Sequence, residues 1–175
     1  MRASIILLII ALLAGLQACN TSGCTDLGSA IPLAGFYDSS TGEAVTLDSL
    51  RISGVDAPLD SPLCVPGRPV ESIYLPVPPE AGSVTWRIEY KNALLDSLGV
   101  RDFITMEYEH IPYFASEECG AMYYYRLRSL THTDALIDSV TVTDSLFTNA
   151  DRQTIHIYFR IEHDDEEDAG EGGAE

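Results

Sequence analysis

Apolar and polar positions alternate along much of this chain with a period of two. Val84, Trp86, Ile88 and Tyr90 alternate with Thr85, Arg87, Glu89 and Lys91. Successive side chains of a strand point to opposite faces, so this segment predicts a strand with one buried face. Ile104, Met106 and Tyr108 alternate with Thr105, Glu107 and Glu109 in the same way. Ile155, Ile157, Phe159 and Ile161 alternate with His156, Tyr158 and Arg160. Weaker strand signals are Val45–Ser53, Met122–Leu130, Val140 with Val142, and Ile31–Tyr37. The last is closed by the turn-forming run Asp38-Ser39-Ser40-Thr41-Gly42. Seven of the nine prolines lie between Pro58 and Pro79. They exclude a central strand or a long helix there, leaving a loop with one short strand at Ser72–Leu75. Ala93–Val100 can form one helical turn or a loop. Seven or eight short strands at these spacings predict an all-β antiparallel sandwich over residues 30–161. An immunoglobulin-like topology is expected, because a closed barrel needs more even strand spacing.

The first residues follow a different pattern. Arg2 precedes an uncharged run, Ala3–Leu16, of 14 residues. That is shorter than the ~17–25 of a membrane-spanning helix and has the form of an export signal. The run ends in Leu16-Gln17-Ala18-Cys19, which resembles the bacterial lipobox. The resemblance implies removal of residues 1–18 and diacylation of Cys19. Outer-membrane lipid then becomes the first partner, each buried CH₂ contributing about 0.8 kcal/mol. The alternative is a plain secretory signal cut after Ala18, which leaves Cys19 as a thiol. Residues 19–29 read as a short polar tether.

Charge narrows the function. The 175 residues hold 27 acids and 10 Lys or Arg, a formal charge of −17. Such a balance excludes a nucleic-acid binder, because phosphate backbones need clustered cations. It equally excludes polybasic docking on anionic lipid. A hydrophobic content of 46% excludes a disordered chain. Eight acids fall in residues 162–175, which have no Lys or Arg, so this tail is expected to be disordered. It could gather Ca²⁺, but lacks the turn glycine and ligand spacing of a calcium loop.

Several stretches together resemble a group of uncharacterised Bacteroidota lipoproteins. They are Cys24 followed by Pro32, Gly35-Phe36-Tyr37-Asp38, Ile104–Tyr108, Ser116-Glu117-Glu118-Cys119-Gly120 and Ile155-His156-Ile157-Tyr158-Phe159. The resemblance implies an exported β-rich domain on a lipid anchor, with no known activity. Cys64 and the acidic tail are not part of the pattern. Surface lipoproteins of that group typically carry acids directly after the lipidated Cys. Here Asn20-Thr21-Ser22-Gly23 follow, and Asp26 is the first acid, which favours the periplasmic side of the outer membrane. With Cys19 acylated, Cys24, Cys64 and Cys119 remain in an oxidising compartment, where a disulfide is expected. Three single pairings are open on spacing alone. The resemblance contains Cys24 and Cys119, and so implies that pair. All three as reduced, buried hydrophobes is the alternative.

Six of the 14 Asp residues are followed by Ser. Four continue into an aliphatic residue, at Ser49, Ser97, Ser139 and Ser145. These resemble the Asp-Ser/Thr-aliphatic acceptor for O-glycosylation in exported Bacteroidota proteins, which requires an exposed serine. Asp-Ser also starts turns through side-chain to backbone hydrogen bonds, which is the competing explanation. No nucleophile elbow, metal-binding helix motif or phosphate loop is present in the sequence, and no cofactor is called for. His156 is expected on the outer face of the last strand. Glu107 and Glu109 share a strand face and could perform acid–base work on a sugar, although exposed acids are ordinary on an acidic protein. Tyr123, Tyr124 and Tyr125 cannot all face the core. At least one is expected outward, beside Tyr113 or Tyr158.

The expected function is that of a non-enzymatic, lipid-anchored interaction or accessory module of the cell envelope. Its partner beyond the lipid would be an integral envelope protein, met through a surface including Tyr123 and Tyr125. The alternative is a binding module for glycans or another small ligand, with Trp86, Tyr123 and Tyr125 as stacking candidates. A hydrolase using Glu107 and Glu109 ranks third.

Overall fold

A computed structural model describes residues 30–117 and 119–162. The expectations for Cys19, Cys24, the signal, the tether and the tail beyond Glu162 lie outside the described residues. Among the described residues there are ten strands, where seven or eight were expected. In chain order they are β1 (Leu33–Asp38), β2 (Leu50–Gly54), β3 (Pro62–Cys64), β4 (Ser72–Tyr74), β5 (Ser83–Tyr90), β6 (Arg101–Ser116), β7 (Gly120–His132), β8 (Ile137–Val142), β9 (Leu146–Phe147) and β10 (Gln153–Phe159). A short α-helix, α1 (Ala93–Ser97), starts where the Asn92 side chain accepts from the Leu95 N–H, and Pro58–Asp60 form a single 3-10 turn.

The strands form two sheets. The smaller has the order β4-β1-β10-β8 and the larger β3-β2-β5-β6-β7-β9. Pairing is antiparallel except between β1 and β10, which run parallel. The expected sandwich is therefore present. Its four-plus-six split differs from the four-plus-three of a constant-type immunoglobulin domain, and an immunoglobulin-like strand order is not established.

The alternating segments fold as their period dictates. Trp86, Ile88 and Tyr90 of β5, Ile104, Met106 and Tyr108 of β6, and Ile155, Ile157 and Phe159 of β10 are all buried. They join Ala34, Phe36, Leu50, Ile52 and Ile137 in one core between the sheets. Phe159 meets Phe36 edge to face at 5.6 Å and Tyr90 of the facing sheet at 6.4 Å. The proline-rich segment supplies only edge strands, β3 and β4, where a missing N–H costs no ladder bond.

Two expectations on strand extent are corrected. Val45–Ser53 yields a strand only from Leu50. Ala44 still bridges to Tyr37 of the smaller sheet, whereas Leu50 already pairs with Tyr90 of the larger. The residues between cross from sheet to sheet and cannot ladder fully with either. The strands are also not uniformly short: β6 has 16 residues and β7 has 13. Pro112 does not end β6, because it lies past the last residue paired with β5, Glu107, where β6 is itself an edge.

Candidate functional site

The unequal lengths of β5, β6 and β7 create the most distinctive surface of the molecule. β5 leaves β6 at Glu107, and β9 pairs with β7 only at Tyr125 and Arg126. Beyond those points β6 and β7 continue as a two-stranded ribbon, from the Ile111–Tyr124 pair to the Ser116–Gly120 pair. At its tip the Ser116 hydroxyl accepts from the Cys119 N–H at 3.1 Å, and Gly120 turns the chain with φ of 72°. That is the left-handed region, which glycine enters without a Cβ clash.

Aromatic rings line both faces of this arm. Register places Ile111 opposite Tyr124 and Tyr113 opposite Met122 on one face. There Tyr113 and Tyr124 stack at 4.5 Å with 17° between their planes. The other face carries His110, Phe114 and Tyr123, with His110 edge-on to Tyr123 at 5.4 Å. Phe114 is 66% exposed, Tyr123 42% and Tyr113 37%. At the base Tyr125 turns inward and is buried against Tyr108, edge to face at 5.4 Å. Burial first, then the neighbouring Tyr123, pushes its hydroxyl pKa upward. The Tyr123–Tyr124–Tyr125 run thus divides as the strand period requires. Of the two expected binding residues, Tyr123 is on the surface, whereas Tyr125 reaches only a cleft of about 290 Å³ shared with Ala30, Val77 and Tyr123.

A second aromatic group stands on the outer face of the smaller sheet. Parallel pairing of β1 and β10 sets Tyr37 beside Tyr158, with ring centres 5.4 Å apart, and the His156 ring 4.6 Å from Tyr37. The Tyr37 hydroxyl donates to Gln153 Oε1 at 2.6 Å. The Gln153 amide lies over Gly35, where a Cβ would come within 2.3 Å of it. His156 is half-buried on this outer face, as expected from alternation.

The most unusual polar group is Asp102, which is fully buried at an inward position of β6. Its Oδ1 accepts from the Thr133 hydroxyl at 2.5 Å and the Ala135 N–H at 2.8 Å. Its Oδ2 accepts from the Tyr90 hydroxyl at 2.6 Å, the Leu136 N–H at 2.8 Å and the Ile137 N–H at 3.1 Å. Burial alone would raise the carboxyl pKa. The bonds from Thr133, Tyr90, Leu136 and Ala135 outweigh it and hold the pKa below the usual carboxylate range. Tyr90 is raised by burial and then by Asp102. Five donors meet about four lone-pair positions, so the carboxylate is held ionised and its acceptor capacity is used within the fold. It staples the connection between β7 and β8, where the chain passes from the larger sheet to the smaller.

The other expected site residues are dispersed. Glu107 and Glu109 are exposed on the outer face of β6. Glu107 accepts from the Ser129 hydroxyl at 2.9 Å, and Glu109 pairs with Arg128. Neither lines the cleft at the arm's base or the apolar cleft of about 390 Å³ bounded by Leu47, Leu94, Leu95 and Ile161. Trp86 is 1% exposed and belongs to the core. Ser97 and Ser145 are exposed, whereas Ser49 and Ser139 are half-buried. Asp144 does start a turn, its Oδ1 accepting the Leu146 N–H at 2.9 Å, as the turn explanation of Asp-Ser requires. Cys64 is a buried free thiol whose pKa is raised by burial. Cys119 is not a free thiol. Among the described residues no group of three or more His, Cys, Asp or Glu could hold a metal ion. No helix among them is long and apolar enough to cross a membrane.

Residues 49–159 match a family of unknown function, DUF6452. No curated protein and no solved structure matches the chain.

Proposed function

This chain belongs to the DUF6452 family of unknown function, and from that premise we propose that it is a lipid-anchored envelope protein whose sandwich is a non-enzymatic interaction module. Residues 1–18 direct export, and Cys19 carries the acyl chains. The domain stands on the periplasmic side of the outer membrane. What supports an interaction role is the aromatic surface, exposed on the arm at Tyr113, Phe114 and Tyr123 and half-buried on the Tyr37–His156–Tyr158 face. Rings held in fixed positions offer large contact area at low entropic cost. The partner class is an integral envelope protein, for which the rigid Tyr37–His156–Tyr158 face is the suited surface.

A Cys24–Cys119 disulfide belongs to the same proposal. Its support is that Cys64 is free and buried while Cys119 is not a free thiol. O-glycosylation is proposed at Ser97 and Ser145, the two exposed candidates. Crosslinking in native membranes, followed by capture through the C-terminus, tests the main reading. One discrete integral envelope protein should be recovered, and recovery of this chain alone at every detergent strength overturns it. A second reading, a glycan-binding module, draws on the same Tyr37–His156–Tyr158 face. It requires saturable chemical-shift changes at these rings on titration with oligosaccharide.

A further inference from the structure

We propose that the β6–β7 arm is a membrane-contact foot, which sets its exposed rings into the headgroup region of the bilayer that holds the lipid anchor. The inference rests on the anchor proposed above and adds where the domain touches the membrane.

Three observations on the arm carry it. First, the rings occupy both faces of a two-stranded ribbon, with Tyr113 and Tyr124 on one and Phe114 and Tyr123 on the other. A protein surface docked on one face would leave the second face in water, whereas an interfacial layer surrounds both. Tyrosine is enriched in that layer because its ring is amphipathic. Second, the described chain begins at Ala30, which lines the cleft at the arm's base together with Ala121 and Tyr123. Cys19 lies eleven positions earlier in the sequence. At no more than ~3.6 Å per residue, the acylated residue lies within about 40 Å of the arm's base. From Ile111 to Ser116 the ribbon extends six residues, about 20 Å at strand rise. Anchor and rings can therefore reach one bilayer surface together. Third, residues 110–124 contain no Lys or Arg. Attraction to anionic lipid is thereby excluded as the cause of contact, and apolar and aromatic burial is the remaining one.

The test uses the full, acylated chain with a photoreactive benzoylphenylalanine replacing Phe114, or Tyr158 as the control. Each protein is reconstituted into vesicles of phosphatidylethanolamine and phosphatidylglycerol, irradiated and weighed intact. Lipid-mass adducts at position 114 should exceed those at 158 by about tenfold or more. Equal labelling at the two positions overturns the foot. So do adducts at 114 that, in native membranes, are to protein alone. The same mass spectrum reports on Cys19. A chain without acyl mass overturns the anchor, whereas an acylated chain without adducts at 114 overturns only the foot. The variant Tyr113→Ser/Phe114→Ser/Tyr123→Ser, checked for an unchanged melt, should lose vesicle protection of the arm from protease while remaining membrane-bound through its lipid.

Discussion

Replacing Asp102 by Asn should destabilise the domain by about 2–4 kcal/mol, because the site offers donors from every direction and Asn brings two more. The geometry fixes how the amide must sit. If its oxygen takes the Oδ2 place, it can still accept from the Tyr90 hydroxyl and the Leu136 and Ile137 N–H groups. Its NH₂ then faces the Thr133 hydroxyl, which can rotate to accept, and the Ala135 N–H, which cannot. The opposite orientation strands two backbone N–H groups instead of one. A stranded buried donor costs roughly 1–3 kcal/mol, and losing the charge weakens the bonds that remain. Asp102→Ala removes every acceptor and should cost more, about 4 kcal/mol or above. Urea unfolding followed by Trp86 fluorescence measures both. The midpoint should fall with an unchanged slope, since the fold stays compact. Acid adds a second readout. The folded pKa of Asp102 is depressed, so its contribution is present above the unfolded value near ~3.9 and disappears as pH falls through the folded value. The wild type should therefore lose stability more steeply than Asp102→Asn below about pH 4. An unfolding free energy for Asp102→Asn within about 0.5 kcal/mol of wild type would refute the staple.

Three further outcomes follow from the packing. Tyr90→Phe should cost about 1–2 kcal/mol in wild type and less in Asp102→Asn, a coupling that a double-mutant cycle in urea reads directly. Gly35→Ala should cost about 1 kcal/mol by displacing the Gln153 amide from Tyr37, and Gln153→Ala in the same chain should remove most of that cost in thermal melts. Cys64→Ser should lower stability by about 1–2 kcal/mol, because a hydroxyl is costlier to desolvate than the buried thiol, whose contact with the Leu50 carbonyl is long at 3.7 Å, and should leave the mobility of the oxidised chain on non-reducing gels unchanged.

What the sequence disclosed depended on whether the determinant was local. Alternation at β5, β6 and β10 is a property of neighbouring residues, and those strands lie where the period places them. The division of the three tyrosines follows from the same rule. Asp102 was missed, although a signal existed: it extends the inward series of Ile104, Met106 and Tyr108 by one step, where a charge has to find partners. The Tyr37–His156–Tyr158 group was not legible. It exists only because β1 pairs parallel with β10, more than a hundred residues later, and no period within either strand encodes that choice. Strand length failed for a related reason. The pattern shows where a face is buried, but in the arm only isolated residues such as Met122 are buried, so neither strand there has a continuous buried face.

That last point bears on why the arm exists. Two-stranded ribbons are marginal in water by themselves, since they lack a third strand or a covering layer. This one is held at its base by Tyr108 and Tyr125, which are packed edge to face, and along its length by stacked rings. Its exposed rings contribute little to the core, and its edges past Glu107 and Tyr125 meet no strand among the described residues. Open edges invite pairing with other chains, and proteins ordinarily blunt them with charge or proline. Here Pro112 lies in the β6 edge and Glu117 stands near the tip, so that edge is blunted against strand addition while the rings stay uncovered. A segment blunted at its backbone and left apolar at its side chains is suited to contact through rings rather than through a shared sheet, which is the property a foot on a lipid surface requires.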